Sequence, residues 1–225
     1  MIATMAHDMY PNPDPPLGPD LMLRAYAAGI FPMSDGADDP RVFWVDPQIR
    51  GVMPLDGFRI SRSLARRIRA EPFRVTVNAD FAGVVAGCAD REPTWINADL
   101  ARAYGALHAG GFAHAVEVWD GPDLAGGIFG ITLGAAFFGE SMFSRRRDAS
   151  KIAMAYLIAR LRAGGFTLFD TQFVTDHLVS LGGVEIPRLA YRAALSKALT
   201  ARADFLALPD PTPVHDVLHL RTQTS

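Results

Sequence analysis

An α+β fold is predicted for this 225-residue chain by three features of its sequence. From Phe73 onward, short segments that alternate apolar and polar residues are interleaved with segments of helical spacing. Capping residues (Asn78, Asn97, Thr175) and glycine pairs (Gly110-Gly111, Gly164-Gly165) punctuate those segments. Between residues 113 and 143, three strand-like runs follow one another as a meander.

In chain order, the stretch to about Pro19 is rich in proline and is expected to be a surface arm. Asp20 can cap a short helix through Ala28, with Gly29 as its stop. "GIFPMS" and "FWVDPQIRG" follow as an aromatic, proline-containing stretch with short strands at best. Ser61 can cap a helix whose apolar stripe is Leu64 and Ile68. The chain is therefore divided into a small N-terminal domain, residues 1–60, and a larger one, residues 61–225. "FRVTV" reads as a strand, Asn78 as the cap of a helix to about Cys88, and Asn97 as the cap of another from Ala98 to Ala109. "AHAVEVW", a turn at Asp120-Gly121-Pro122-Asp123 and "LAGGIFGITLG" read as a hairpin, and "AFFGESMF" as a third strand. A helix from Ala149 to Ala163 carries Ile152, Tyr156 and Leu161 roughly on one side. "FTLFDTQF" is a strand, Thr175 caps a short helix ending at Gly182, and Pro187 opens a last helix to about Ala201. The tail after Pro209 is expected to be loose. This order resembles the GNAT acyltransferase fold, a mixed sheet with helices on both faces, which by itself decides no function.

Composition narrows the function classes. Nearly half the residues are apolar, enough for a core without staples, and the single cysteine, Cys88, allows no internal disulfide. A reducing cytoplasm fits that usage. No secretory leader is read in the first residues, and no apolar run long enough for a membrane span occurs. The net charge of −2 does not announce a nucleic-acid partner, so one would have to be read from a local patch. Walker, dinucleotide and nucleophile-elbow motifs are missing, and His108, His114 and His177 lack metal-ligand spacing.

Four segments could carry chemistry. Glu140 ends a strand dense in Phe and Gly, where a carboxylate needs either a partner or a task; the bland alternative is a bond to an amide or an arginine. Asp170 and Gln172 share one face of a period-2 strand, with Thr171 turned away, and could hold and polarise an amine. Alternatively they face solvent or cap the next helix. Arg145, Arg146 and Arg147 stand before a helix start, with Lys151 one turn in, as the best phosphate-binding segment. Arg62, Arg66, Arg67 and Arg69 read rather as a solvated helix face. Phe43-Trp44 and Thr94-Trp95-Ile96 lie in polar, proline-containing loops that could wall a pocket.

"GIFPM", "FWVDPQIRGV", "TWIN", "AYGALHAGGFAHAVEVW", "LAGGIFG", "FFGESMFS", "ASKIA", "FDTQ" and "HLVSLGG" together resemble, in order, the bacterial leucyl/phenylalanyl-tRNA–protein transferases. The resemblance runs from about Leu21 to Leu195. It implies a small N-terminal domain and a GNAT-like catalytic domain. Leu or Phe, and Met as a further donor, would pass from aminoacyl-tRNA to proteins beginning with Arg or Lys, marking them for the N-degron pathway. An apolar pocket for the donor side chain would comprise Trp44, Trp95, Ile128, Phe137, Gly139 and Phe169. Glu140 would contact the aminoacyl amine, and Asp170 with Gln172 would promote peptide-bond formation. The tRNA ester supplies the activation, so neither metal nor cofactor is expected. Thr171 stands where the family usually has Cys, and Ala115 where it commonly has Ser. Two rivals are an acetyl-CoA-dependent acetyltransferase, disfavoured because "SRRRDAS" lacks a glycine-rich loop, and a non-catalytic module for RNA 3′ ends or N-terminal peptides.

Overall fold

The computed structural model describes residues 17–219, so most of the expected proline-rich arm lies outside the described residues. The first elements are α1 (Pro19–Ala27), β1 (Phe31–Met33), β2 (Phe43–Val45) and β3 (Ile49–Val52). α2 (Arg62–Arg69), β4 (Arg74–Val77), α3 (Phe81–Ala89) and α4 (Ala98–Ala109) follow. Then come β5 (Ala113–Asp120), β6 (Asp123–Leu133), β7 (Ala136–Ser144), α5 (Ala149–Ala163) and β8 (Leu168–Gln172). The chain closes with α6 (Asp176–Ser180), β9 (Val184–Pro187), α7 (Arg188–Thr200) and α8 (Val214–Leu218).

β1 and β2 form a two-stranded sheet, and the other strands form a seven-stranded sheet in the order β4-β5-β6-β7-β8-β3-β9. Only β7–β8 is parallel, because α5 carries the chain back between them; every other pair is antiparallel. The fold is thus α+β, with a mixed sheet flanked by helices. β3, which precedes the expected boundary at residue 60, is an internal strand of that sheet.

Alternation along the strands sends side chains into two cores. Val116, Val118, Ile128, Phe137 and Phe169 pack toward α2, α5 and α8. Ala115, Phe129, Ile131, Phe138 and Leu168 pack toward α1, α3, α4 and α7. Gly126 and Gly127 bring both layers close. A Cβ at the first would lie 2.7 Å from that of Ala149 in α5, and one at the second 3.0 Å from Val84 in α3.

Local signals were read correctly where they are self-contained. Ser61, Asn97 and Thr175 each accept the amide hydrogen bond three residues on, from Leu64, Leu100 and Leu178. Others are corrected by the structure. α1 is preceded by Gly18, and Asp20 lies within its first turn. Asp80, not Asn78, caps α3 through the Gly83 amide. Asn78 instead takes a left-handed conformation (φ 58°), accepts from the Ala115 amide and pairs with His114 Nδ1. α5 has no polar face to speak of, being buried from Ile152 through Leu161. β9 was not anticipated.

As far as His219, the tail after Pro209 packs on the core rather than lying loose. Phe205, Thr212 and Val217 are buried, and the buried Arg160 of α5 donates to the carbonyls of Phe205, Leu208 and Pro209 and to Thr212 Oγ1. Those groups would be left unsatisfied in Arg160→Met. Urea unfolding of that variant should show a loss of about 3 kcal/mol, with an unchanged midpoint arguing that the tail contributes nothing.

Candidate active site

Past Phe138 and Asp170, the parallel pair β7–β8 is no longer hydrogen-bonded. β7 continues along β6, while β8 ends beside Gly51 of β3. A cavity of about 680 Å³ is lined by the strand ends that follow, residues 139–144 and 171–172. The carboxyl ends of parallel strands commonly present ligand crevices, since chain leaving them is free of the ladder. Trp95, Ile128, Met142, Met154, Phe169 and Leu178 give the cavity its apolar wall. Gly139 belongs there for a steric reason: a Cβ would lie 2.6 Å from the Phe169 ring.

Of the six residues expected in the pocket, Trp95, Ile128, Gly139 and Phe169 line this cavity. Phe137 lies behind it, its ring 5.3 Å from that of Phe169 and 5.8 Å from that of Phe205. Trp44 is buried in the core on the α1 side and is not among the lining residues.

Glu140 and Gln172 meet across the gap between the strands. Gln172 Nε2 donates to Glu140 Oε1 at 3.2 Å, and the Tyr104 hydroxyl donates to Glu140 Oε2 at 2.7 Å. Glu140 therefore has partners, but neutral ones. Burial pushes its carboxyl up to about 7, with the Tyr104 hydrogen bond pulling the other way. Arg50 and Asp170 act on it with opposite signs.

Asp170 is fully buried and its oxygens are saturated. Arg50 Nε donates to Oδ1 at 2.9 Å and Arg50 Nη2 to Oδ2 at 2.6 Å. Tyr191 donates its hydroxyl to Oδ2 at 2.6 Å, and the Gln172 backbone amide donates to Oδ1 at 2.8 Å. Arg50 also donates to the Gly29 carbonyl and lies 4.5 and 4.4 Å from the ring centroids of Phe31 and Tyr191. Burial pulls its proton affinity down, but Asp170 outweighs that and the guanidinium is held above its ordinary value. Gln172 takes a left-handed backbone (φ 57°), anchored by its amide on Asp170. This turn breaks the period-2 pattern, so Thr171, expected to face away from Gln172, lines the same cavity.

The basic segment is ringed by acids. Arg145 pairs with Asp90, Arg146 with Asp120 and Asp123, and Arg147 and Lys151 with Asp148. Arg67 of α2 reaches Asp148 as well, at 3.9 Å, so one of the arginines read as a separate face adjoins this segment. Two amides at the start of α5 are taken: Ala149 donates to the Arg146 carbonyl and Ser150 to Ser144 Oγ.

A family model described as leucyl/phenylalanyl-tRNA protein transferase matches residues 52–196, and its N-terminal-domain companion matches residues 16–48. The chain belongs to this family. It is accordingly an aminoacyltransferase. A leucyl/phenylalanyl-tRNA–protein transferase of Jannaschia sp. (strain CCS1) is 70% identical over 210 residues, covering 93% of this chain and 99% of that one. Its counterpart in Ruegeria sp. (strain TM1040) is 61% identical over 209 residues, again 93% and 99%. That of Rhodopseudomonas palustris (strain TIE-1) is 57% identical over 200 residues, 87% and 89%. The two family matches meet at β3, ahead of residue 60.

Sequence reading of this transferase missed Arg50, Tyr104 and Tyr191. An arginine inside the apolar strand Ile49–Val52 was a usable signal, because a buried cation demands a buried acid. Tyr104 and Tyr191 carried none, since apolar helix faces often hold tyrosine. Arg50→Met should destabilise the protein by about 3–5 kcal/mol in urea unfolding, because Asp170 is left charged and unpaired. Adding Asp170→Asn should recover part of that loss; no recovery would mean that the charge is not the cause.

Proposed function

We propose that this chain transfers leucine or phenylalanine, with methionine as a further donor, from aminoacyl-tRNA to the α-amino group of proteins that begin with Arg or Lys. The product would be read by the N-degron degradation machinery of the cytoplasm. The observation that carries this reading is an apolar cavity in which Glu140, the sole lining carboxylate among the described residues, is bonded to an amide anchored from behind. The donor side chain would lie against Trp95, Ile128, Gly139 and Phe169, with Phe137 in the packing behind. Arg145, Arg146, Arg147 and Lys151, joined by Arg67, would take tRNA phosphates, competing with the aspartates that now pair with them. A smaller cavity lined by Asp35, Asp38, Asp39 and Glu92 has the sign that suits a cationic acceptor terminus.

In the reaction, the acceptor nitrogen forms a bond to the ester carbonyl carbon and the bond to the ribose oxygen breaks. The amine has a free pKa of about 7.7–8.0, so placement can supply much of the acceleration, up to about 7–11 kcal/mol. Gln172 donates to Glu140 through its nitrogen, which leaves its Oε1 to accept from the amine. A neutral amide is too weak a base to keep the proton. Glu140, poised near 7, would receive it and return it to the leaving ribose oxygen. The same carboxylate can hold the donor's own amine. Asp170, saturated and out of the cavity, would act by fixing Gln172.

Labelled Leu-tRNA and Val-tRNA, each incubated with peptides beginning with Arg, Lys, Asp or Glu, test this reading. Leucine should appear on the Arg and Lys peptides only, with Val-tRNA about 10- to 200-fold poorer in kcat/KM. Comparable values for the two donors would sink the pocket assignment. With saturating donor, the rate should rise with pH through about 7 as Glu140 loses its proton, and again as the amine does. Glu140→Gln should be much slower and keep only the amine's limb, at about 7.7–8.0. A variant profile identical in shape to that of the unaltered protein would take Glu140 out of the proton transfer.

A further inference from the structure

Beyond Phe138 the edge of β7 that faced β8 is left without a strand, and residues 139–144 line the large cavity. Among the described residues, β6 and β8 are the only strands beside β7. The other edge stays paired with β6 as far as Ser144. One hydrogen bond shows which main-chain groups face which edge. The Arg145 amide donates to the Ala125 carbonyl at 2.7 Å, so residue 145 points its N–H at the β6 side. In an antiparallel ladder that direction alternates from residue to residue. Phe143 and Ser141 therefore also point at β6, while Met142 and Ser144 point away from it. The N–H and C=O groups of Met142 and Ser144 are directed at the open edge.

An open strand edge recognises one kind of ligand. A row of unpaired N–H and C=O groups is a template for another strand, and an extended polypeptide binds it through its main chain whatever its side chains. Nucleic acid has no such alternation of donors and acceptors. Of the two substrates proposed above, only the acceptor is a polypeptide. Burial along β7 sets its direction. Glu140, an acid where the amine would arrive, is buried; Met142 is half-buried and Ser144 exposed. The α-amine thus belongs inside, at Glu140 and Gln172, and the body of the acceptor outside, past Ser144. A chain so placed runs parallel to β7 and takes up the line that β8 abandons.

We infer that the first residues of the acceptor add to the open edge of β7 as a short parallel strand, hydrogen-bonded to the main chain of Met142 and Ser144. This rests on the acceptor class proposed above. From Glu140 to Ser144 the strand rises about 13 Å, at about 3.3 Å per residue, so about four acceptor residues are held. Recognition is then divided. The first residue is selected by charge, and those after it are held through the backbone, which any extended N-terminus offers. In a parallel ladder only alternate residues of the added strand bond to β7, because the others turn their polar groups to the far side.

The test is an amide-to-ester scan of a peptide beginning with Arg, which removes one backbone N–H at a time from the second to the fifth residue, with Leu-tRNA as donor. The acceptor KM should rise about 3- to 10-fold, the size of one lost neutral hydrogen bond, at alternate positions and change little between them. The donor KM should stay as it was. Lengthening the acceptor from two residues to five should lower its KM, with little gain beyond. Met142→Pro removes an N–H from the open edge and spares the ladder with β6, so it should raise the acceptor KM more than Met142→Ala, which loses the same side chain. Equal KM for every ester and every length would overturn the added strand while leaving the proposed function standing, as would losses at consecutive positions without alternation. Equal acceptor KM for the two Met142 variants would take the strand off this edge. A rise in the donor KM in place of the acceptor KM would give the edge to the donor and overturn the proposal. Transfer from Leu-tRNA to none of the peptides would overturn both.

Discussion

The ion pair between Arg50 and Asp170 is the constraint on which the rest of the site depends. It joins β3 to β8, while its remaining hydrogen bonds reach the end of α1 through Gly29, helix α7 through Tyr191 and the turn at Gln172. Removing two charges from water is expensive, and a buried pair often gains little stability over apolar residues of the same shape. What this pair secures is conformation. A left-handed glutamine at a strand end is disfavoured in isolation, and here a carboxylate oxygen fixes its amide. With Gln172 so turned, its side chain reaches Glu140 and Thr171 comes to the cavity wall.

Glu140 depends on the same pair at one remove. A positive and a negative charge sit behind it and oppose one another, so burial decides its proton affinity. Asp170 raises the carboxyl's proton affinity and Arg50 lowers it, each by less than burial does. Tyr104 and Gln172, both neutral donors, orient the group without settling its charge. The result is a carboxyl that can change protonation near neutral pH inside an apolar wall. Its two walls come from the parting of β7 and β8, which exposes the ends of a parallel pair while β6 still covers the far edge of β7 and β3 that of β8.

The surface beside this cavity shows how charge can be concentrated without being free. Arg67, Arg147 and Lys151 converge on Asp148, although α2 and α5 are far apart in the chain. Exposed pairs of this kind are worth about 0–1 kcal/mol each, so a polyanion could exchange with the aspartates at little cost. The acids also account for a chain that is slightly acidic overall while carrying a local run of arginines.

By itself the sequence determined the element order from α2 through α6, the bounds of α4 and α5, the three true caps and the family, all of which rest on short-range patterns. A cap needs an oxygen and an amide three residues apart, and a glycine stop needs one left-handed residue, so each is complete within a turn of chain. Misreadings at Asn78 and in the tail share one cause: in each, a contact from elsewhere outcompeted the local reading. Asn78 is claimed by His114 and Ala115 of the neighbouring strand, and the tail by Arg160. Site chemistry was legible only as single residues. Glu140, Asp170 and Gln172 could be named from their unlikely surroundings, but their partners Tyr104, Arg50 and Tyr191 lie up to 120 positions away in the chain. Tertiary structure alone decided which carboxylate faces the cavity and which is locked behind it, because that depends on β3 being inserted beside β8. Hydrophobic pattern specifies a strand's face but not its neighbour, and here the neighbour supplies the charge.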